Sequence, residues 1–194
     1  MSHLKIKKMS RTKPSGRSSS VTNAFFNNIV PFRGEPTPAE YDNVKRIVGT
    51  YNGTDQFLCG YCGKSVATSW DHIYPLIKKK GPTGYIHELA NLIPACQSCN
   101  SSKGNKDWCE FFETSKKFKG LSEEEKENRK KVIRQYIKFF GGPYKCNIDK
   151  LKKTEDYQEY LKLHNQIHEL LKEATKLSDK ISEELQKQFK KENN

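Results

Sequence analysis

Residues 57–107 read FLCGYCGKSVATSWDHIYPLIKKKGPTGYIHELANLIPACQSCNSSKGNKD, and this stretch decides how the rest of the chain is read. It holds two C-x-x-C pairs, Cys59/Cys62 and Cys96/Cys99, separated by 33 residues. Each pair is a knuckle that can present two thiolates to one ion. Four thiolates close a tetrahedral zinc shell with no vacancy, so such a site is structural rather than catalytic. The gap exceeds that of the commonest zinc ribbons and must enclose folded chain. Within it, Trp70, Ile73 and Tyr74 suit a strand that Pro75 ends. The polar run Lys78-Lys79-Lys80-Gly81-Pro82-Thr83-Gly84 suits a loop, and Leu89 to Ala95 leads into the second knuckle. Cys109 and Cys146 have no such pairing, and Cys109, in Trp108-Cys109-Glu110-Phe111-Phe112, reads as a small buried hydrophobe.

Outward from this segment, the 194-residue chain is lean in apolar residues (34%) and rich in charge (30%), with a formal net charge of +12. A structural metal supplies stability that a lean core lacks. The excess charge suits a polyanion, because phosphate binding releases counterions. It is concentrated in residues 1–34, where Lys5, Lys7, Lys8, Arg11, Lys13, Arg17 and Arg33 face no acid. Residues 1–34 are therefore expected to form a basic, largely disordered arm, with the apolar residues of 23–34 anchoring it. No stretch approaches the roughly 18 apolar residues of a membrane span. The basic N-terminus lacks the apolar core of a secretory signal, which gives an expected cytoplasmic location, in a bacterial or phage-infected cell.

Local signals set the flanking elements. Thr37 and Pro38 open a helix that Gly49 ends, with Val44, Ile47 and Val48 as its buried stripe. Asn52-Gly53 reads as a turn. Residues 35–56 thus form an N-terminal helix and turn, 57–112 a central core, and 113–194 a helical extension. Ser122 with Glu125 is a capping box for a helix from Glu123 to Phe140, stopped by Gly141-Gly142-Pro143. A long amphipathic helix is expected from Glu155 to Lys190. Its heptads (Tyr160, Ile167, Ala174, Ile181; Leu163, Leu170, Leu177) serve a second copy of the chain, as a homodimer, or intramolecular packing equally well. His164 and His168 lie four apart on this helix, a spacing that can bind metal. No third ligand is evident, so they read as surface or interface residues.

The run D-H-I-x-P (Asp71, His72, Ile73, Pro75) followed by N-L-x-P-x-C-x-x-C-N-x-x-K-G (Asn91 to Gly104) resembles the HNH endonuclease motif in its zinc-bearing form. The resemblance covers roughly residues 57–107. It implies an α+β chain with a small ββα-metal (HNH, or His-Me finger) core bearing the four-cysteine zinc site, flanked by helices. In that family His72 matches the general base, and Asp71 and Asn100 match ligands of a catalytic Mg²⁺ or Mn²⁺ ion. Asn91 matches the asparagine that ties down the loop between the strands and orients the base. The last family position is Asn rather than His here, which suits a hard, oxygen-preferring ion. Adjacent Asp71 and His72 should point to opposite faces of one strand, so some local distortion must bring both to one centre.

Lys103 shares a helical face with Asn100 and is expected at a phosphate, as are Lys78, Lys79, Lys80 and Lys106. His87 matches no family ligand and reads as structural or surface. The resemblance implies double-stranded DNA as partner and phosphodiester hydrolysis as reaction, with a sequence-specific, type II restriction-like enzyme as the leading form. The alternatives are a phage or mobile-element nicking or homing nuclease, or a zinc-stabilised nucleic-acid-binding module without catalysis.

Overall fold

A computed structural model describes residues 11–192. In chain order its elements are α1 (Ser18–Asn27), α2 (Pro38–Val48), β1 (Ser69–His72), β2 (Ile77–Lys78), β3 (Gly81–Pro82), β4 (Leu92–Ala95), α3 (Gln97–Lys103), α4 (Trp108–Thr114), α5 (Glu123–Phe139), α6 (Ile148–Leu151) and α7 (Glu155–Glu192). The contacts divide the chain into two compact units: residues 26–150, and the N-terminal residues to 25 together with those from 151. No helix among the described residues is long and apolar enough to cross a membrane.

The first unit is built on a two-stranded antiparallel sheet. Strand β1 pairs with β4 in a register that sets Ser69 against Ala95 and His72 against Leu92. Helix α3 follows β4 directly, with Cys96 as its N-cap residue, and packs on β1. Behind the sheet, α2 and α5 close the core. The Thr37–Glu40 capping box starts α2 and Gly49, at φ 86°, ends it, while the Ser122–Glu125 box starts α5. Val44, Val48, Ile73, Ile93, Phe111, Phe118, Ile133 and Tyr136 are buried in one cluster that also contains three of the knuckle cysteines, Cys59, Cys96 and Cys99. The core and the cysteine cluster are therefore one packed body.

Arg129 of α5 joins the two most directly. Its guanidinium donates to the backbone carbonyls of Gly60 (2.8 Å), Cys59 (3.4 Å) and Tyr61 (3.4 Å). It lies so close to Gly63 that a Cβ there, at φ 62°, would fall 2.5 Å from the guanidinium carbon. A glycine at 63 thus serves both the left-handed turn and the arginine's approach.

The segment read as a polar loop contains a tight hairpin. Strands β2 and β3 pair across Lys79 and Lys80, which adopt φ 51° and 60°. Both central residues in the left-handed region are what a two-residue turn between twisted strands requires. Two lysines take the place usually held by asparagine and glycine, so sequence gave no hairpin signal there.

In the second unit the expected disordered arm is ordered where it can be described. A 3-10 turn (Pro14–Arg17) and α1 follow one another along α7. Lys13 pairs with Asp179 at 2.7 Å, Thr175 accepts from the Ser15 amide at 2.9 Å, and the Tyr160 hydroxyl donates to the Phe25 carbonyl. The segment is helical because α7 offers it a partner, which composition cannot reveal. The part of the expected arm in residues 1–10 lies outside the described residues. His164 and His168, expected at the surface or an interface, are buried at 2% and 5% exposure against Thr22 of α1. The face of α7 carrying Leu163, Leu170, Leu177, Ile181 and Leu185 is exposed.

Candidate active site and metal centre

The four cysteines come together as their spacing requires. The sulfurs of Cys59, Cys62, Cys96 and Cys99 all lie within 4.8 Å of one another. The first knuckle closes by Gly63 N–H donating to Cys59 O (2.8 Å), the second by Cys99 N–H donating to Cys96 O (3.0 Å). Gly60 donates to the Pro94 carbonyl, and a Cβ at 60 would fall 2.4 Å from Ile93. Only a residue without a side chain lets the first knuckle lie against β4. Crowding shapes the thiols: Cys99 is pushed well up by Cys59 and Cys62, while Cys62 is driven down by Cys59 and Cys99 and by the Lys64 and Ser65 amides. Four close sulfurs, three of them in buried residues, fit a tetrahedral thiolate shell for zinc, in which a divalent ion replaces the shared protons.

Asp71 and His72 point to opposite faces of β1, as the pleat requires, and the local distortion expected to bring both to one centre is not seen: Tyr61 and Lys103 hold Asp71, and His87 holds His72. Asp71 faces α3 and is 8% exposed. Its Oδ2 accepts from the Tyr61 hydroxyl at 2.7 Å and pairs with Lys103 Nζ at 3.1 Å. Burial and the Asp71 charge push the Tyr61 phenol far above its usual range, which keeps it a donor. Lys103, expected at a phosphate, is instead enclosed at 1% exposure, and its ammonium also donates to the His72 carbonyl at 2.6 Å. Burial pushes its pKa down, against the pull of Asp71. The reason is geometric: the α3 face that carries Asn100 and Lys103 is the face packed on β1, so this lysine is an internal counter-charge.

A Lys103→Met substitution should therefore act on stability. It leaves the Asp71 carboxylate buried without its cation, a change that costs about 3–5 kcal/mol. Urea unfolding should show this loss, while Lys79→Ala, on the exposed hairpin tip, should stay within about 0.5 kcal/mol of the parent.

His72 faces the other way. Its Nε2 is hydrogen-bonded to His87 Nδ1 at 2.9 Å, with ring centroids 5.1 Å apart. His87 is fixed in turn. Its amide donates to Pro31 O, its carbonyl accepts from Arg33 N–H, and the Phe32 ring packs on its imidazole at 5.4 Å. Arg33 pairs at 2.8 Å with Glu88, whose side chain is 2% exposed. His87, expected to be structural or at the surface, holds the His72 ring; the pairing itself had no signal beyond a histidine on the segment returning to β4. Burial, then His87 and Lys103, push the His72 pKa down to about 4.

The sign of the pH effect follows. Between pH 6.5 and about 4 the unfolded chain binds a proton at residue 72 that the folded chain refuses, so stability falls on acidification through that window. At pH 5 the contribution is about 2 kcal/mol. Urea midpoints at pH 7 and pH 5 should differ less for His72→Phe than for the parent chain.

Asn91 is fully buried and spans the strand ends. Its Oδ1 accepts from Tyr74 N–H (3.0 Å), and its Nδ2 donates to the carbonyls of Tyr74 (3.1 Å) and Ile86 (3.4 Å). It clamps the end of β1 to the segment carrying His87. Asn100, the fourth residue of α3, donates from Nδ2 to Ser69 Oγ at 2.9 Å. Asp71 and Asn100 thus enter the same β1–α3 seam, and Asp71 Oδ1 lies outside the two contacts made by Oδ2. One carboxylate and one amide oxygen are the donor chemistry of a hard divalent ion.

Of the expected phosphate contacts, Lys78 is engaged by Glu110 at 2.8 Å and Asp107 at 3.8 Å. Lys79 and Lys80 are exposed at the hairpin tip, and Lys106 is half-buried beside the end of α3. Cys109, expected to be buried, is exposed on α4, because its neighbours Trp108, Phe111 and Phe112 take the inward positions.

The fold and site define a small mixed α+β module assembled around a four-cysteine cluster, with an imidazole and a carboxylate on the strand between the knuckles. The family model described as HNH endonuclease matches residues 59–106, a quarter of the chain. No curated protein and no solved structure gives a significant match.

Proposed function

We propose that the chain is a metal-dependent DNA endonuclease of the HNH, ββα-metal type. The observation that carries this reading is the His72–His87 pair on one face of β1, in the segment the HNH model matches; bringing Asp71, on the other face, to the same phosphate requires the end of β1 to twist when DNA and the ion bind. Asp71 and Asn100 would hold the catalytic ion, Mg²⁺ or Mn²⁺, which supplies charge neutralisation at the phosphate and the leaving oxygen. The remaining work falls to the chain. With the Nε2 proton of His72 donated to His87 Nδ1, its Nδ1 carries the lone pair that takes a proton from the attacking water. The water oxygen bonds to phosphorus and the bond to the 3′ oxygen breaks, giving 5′-phosphate and 3′-hydroxyl ends. Asn91 keeps the strand end that carries the base in place, and Lys103 holds the Asp71 carboxylate in position through their ion pair.

Double-stranded DNA is the proposed substrate. The +12 charge and the exposed Lys79–Lys80 tip support it. Within that reading we favour a cytoplasmic, sequence-specific, restriction-like enzyme acting as a homodimer, for which the exposed Leu163–Leu170–Leu177 seam of α7 is the surface. Light scattering should then report twice the chain mass. The experiment for the activity is incubation of supercoiled plasmid and phage DNA with the purified chain and Mg²⁺ or Mn²⁺. Cuts at fixed positions in sequenced ends support a restriction-like enzyme, and random nicks reduce the reading to a non-specific nuclease. DNA binding without cleavage under every metal supports the non-catalytic zinc module instead.

A further inference from the structure

The second unit contains a cluster that the nuclease reading does not use. His164 and His168 of α7 and Thr22 of α1 bring three donor atoms together: His164 Nε2 to His168 Nε2 at 3.0 Å, Thr22 Oγ1 to His164 Nε2 at 3.2 Å, and Thr22 Oγ1 to His168 Nε2 at 3.1 Å. All three residues are buried, and the Phe25 ring stands edge-on to His164 at 5.2 Å.

The chain carries its own comparison for such a pair. His72 and His87 have nitrogens 2.9 Å apart and ring centroids 5.1 Å apart, so the rings meet nearly head-on, as a linear hydrogen bond demands. In His164 and His168 the nitrogens are no closer, at 3.0 Å, yet the centroids are only 4.4 Å apart at a similar interplanar angle, 63° against 60°. The second pair of rings is therefore not collinear, and Thr22 Oγ1 lies within 3.2 Å of both Nε2 atoms, so the three donors surround one point. Two nitrogens sharing a four-coordinate ion at the usual zinc–nitrogen distance stand about 3.3 Å apart.

The outer contacts agree. His168 Nδ1 lies 3.2 Å from Ser18 Oγ, and His164 Nδ1 lies 3.4 Å from Asn165 Oδ1. In the tautomer that places the ring protons on Nδ1, towards these oxygens, both Nε2 atoms offer lone pairs to the shared point, the arrangement usual behind metal-bound histidines, and a cation there would join them.

We propose that His164, His168 and Thr22 form a second metal site, separate from the four cysteines, for a borderline divalent transition ion such as Zn²⁺, Co²⁺ or Ni²⁺. Imidazole nitrogens select this class over Mg²⁺. The i, i+4 spacing on α7 supplies two ligands from one helical face, and Thr22 supplies the third from α1, with water completing the shell. The bound ion fastens α1 to α7.

The test is metal stoichiometry on the full-length chain, which reads the site without any assay of cleavage. Saturated with Zn²⁺ and desalted, the parent chain should retain two ions and a His164→Gln/His168→Gln variant one. Co²⁺ titration separates the sites, because only the cysteine site gives sulfur-to-cobalt charge-transfer bands. Those bands should persist in the variant and report that it is folded, while the second equivalent is lost. Thr22→Val, which keeps the side chain's shape, should weaken the second equivalent at least tenfold. One ion in the parent chain, a second equivalent that survives the double histidine change, or an unaltered second affinity in Thr22→Val would each overturn the site, including in favour of a shared proton between the rings.

Discussion

A Cys99→Ser chain should lose its knuckle-bound zinc and with it the cooperative fold of residues 26–150. The size of the effect follows from how the cysteines are built in. Cys99 is completely buried and belongs to the same cluster as Tyr61, Ile93 and Phe111. Binding energies of structural zinc are about 10–16 kcal/mol, whereas a whole domain is held by about 5–15 kcal/mol. Removing one thiolate, or stripping the ion with a strong chelator, therefore consumes the stability margin. Circular dichroism should show loss of helix from α2 and α5, and metal analysis should show the zinc gone. Retained zinc and an unaltered melting curve in Cys99→Ser would remove the four-thiolate site from the account.

The second large effect is on chemistry. His72→Ala should lower cleavage by about 10² to 10⁴-fold, the range for removing a positioned general base, with a thermal midpoint close to that of the parent chain. The variant takes away an imidazole that is only partly buried, so its cost in packing is small beside its cost in rate. The two substitutions separate the fold from the chemistry. Cys99→Ser should destroy the frame, whereas His72→Ala should leave a folded, zinc-loaded chain with cleavage reduced. Full activity in His72→Ala would end the assignment of the base, even if the chain remained a nuclease.

Much of this frame was readable from local chemistry. Thr37, Pro38 and Gly49 bound α2 at the residues observed, and Ser122 with Glu125 starts α5, because caps act through neighbouring backbone groups. The cysteine cluster was legible for the same reason, since a knuckle is a local turn. The opposite facing of Asp71 and His72 followed from the pleat alone. What escaped depends on distant partners. Lys103 is internal because α3 lies on β1, and His87 meets His72 because the 31–33 segment pins it. Helix α1 forms against α7, and His164 and His168 are buried by it. Each of these is decided by a contact more than a dozen residues away. The hairpin at Lys79–Lys80 is a different kind of miss: a left-handed turn filled by residues that do not advertise one.

Arg129 has a wider consequence. An ion surrounded by four thiolates carries a net charge of about −2, and such an anion inside an apolar cluster needs a compensating cation. The guanidinium of α5, buried enough that its own pKa is drawn down, stands against the knuckle carbonyls and the charges of Cys59 and Cys62. Helix α5 is thereby a counter-ion as well as a wall of the core. Chelation and helix melting become a single thermodynamic event, so a calorimetric scan of this unit should trace one peak whose position tracks free zinc concentration.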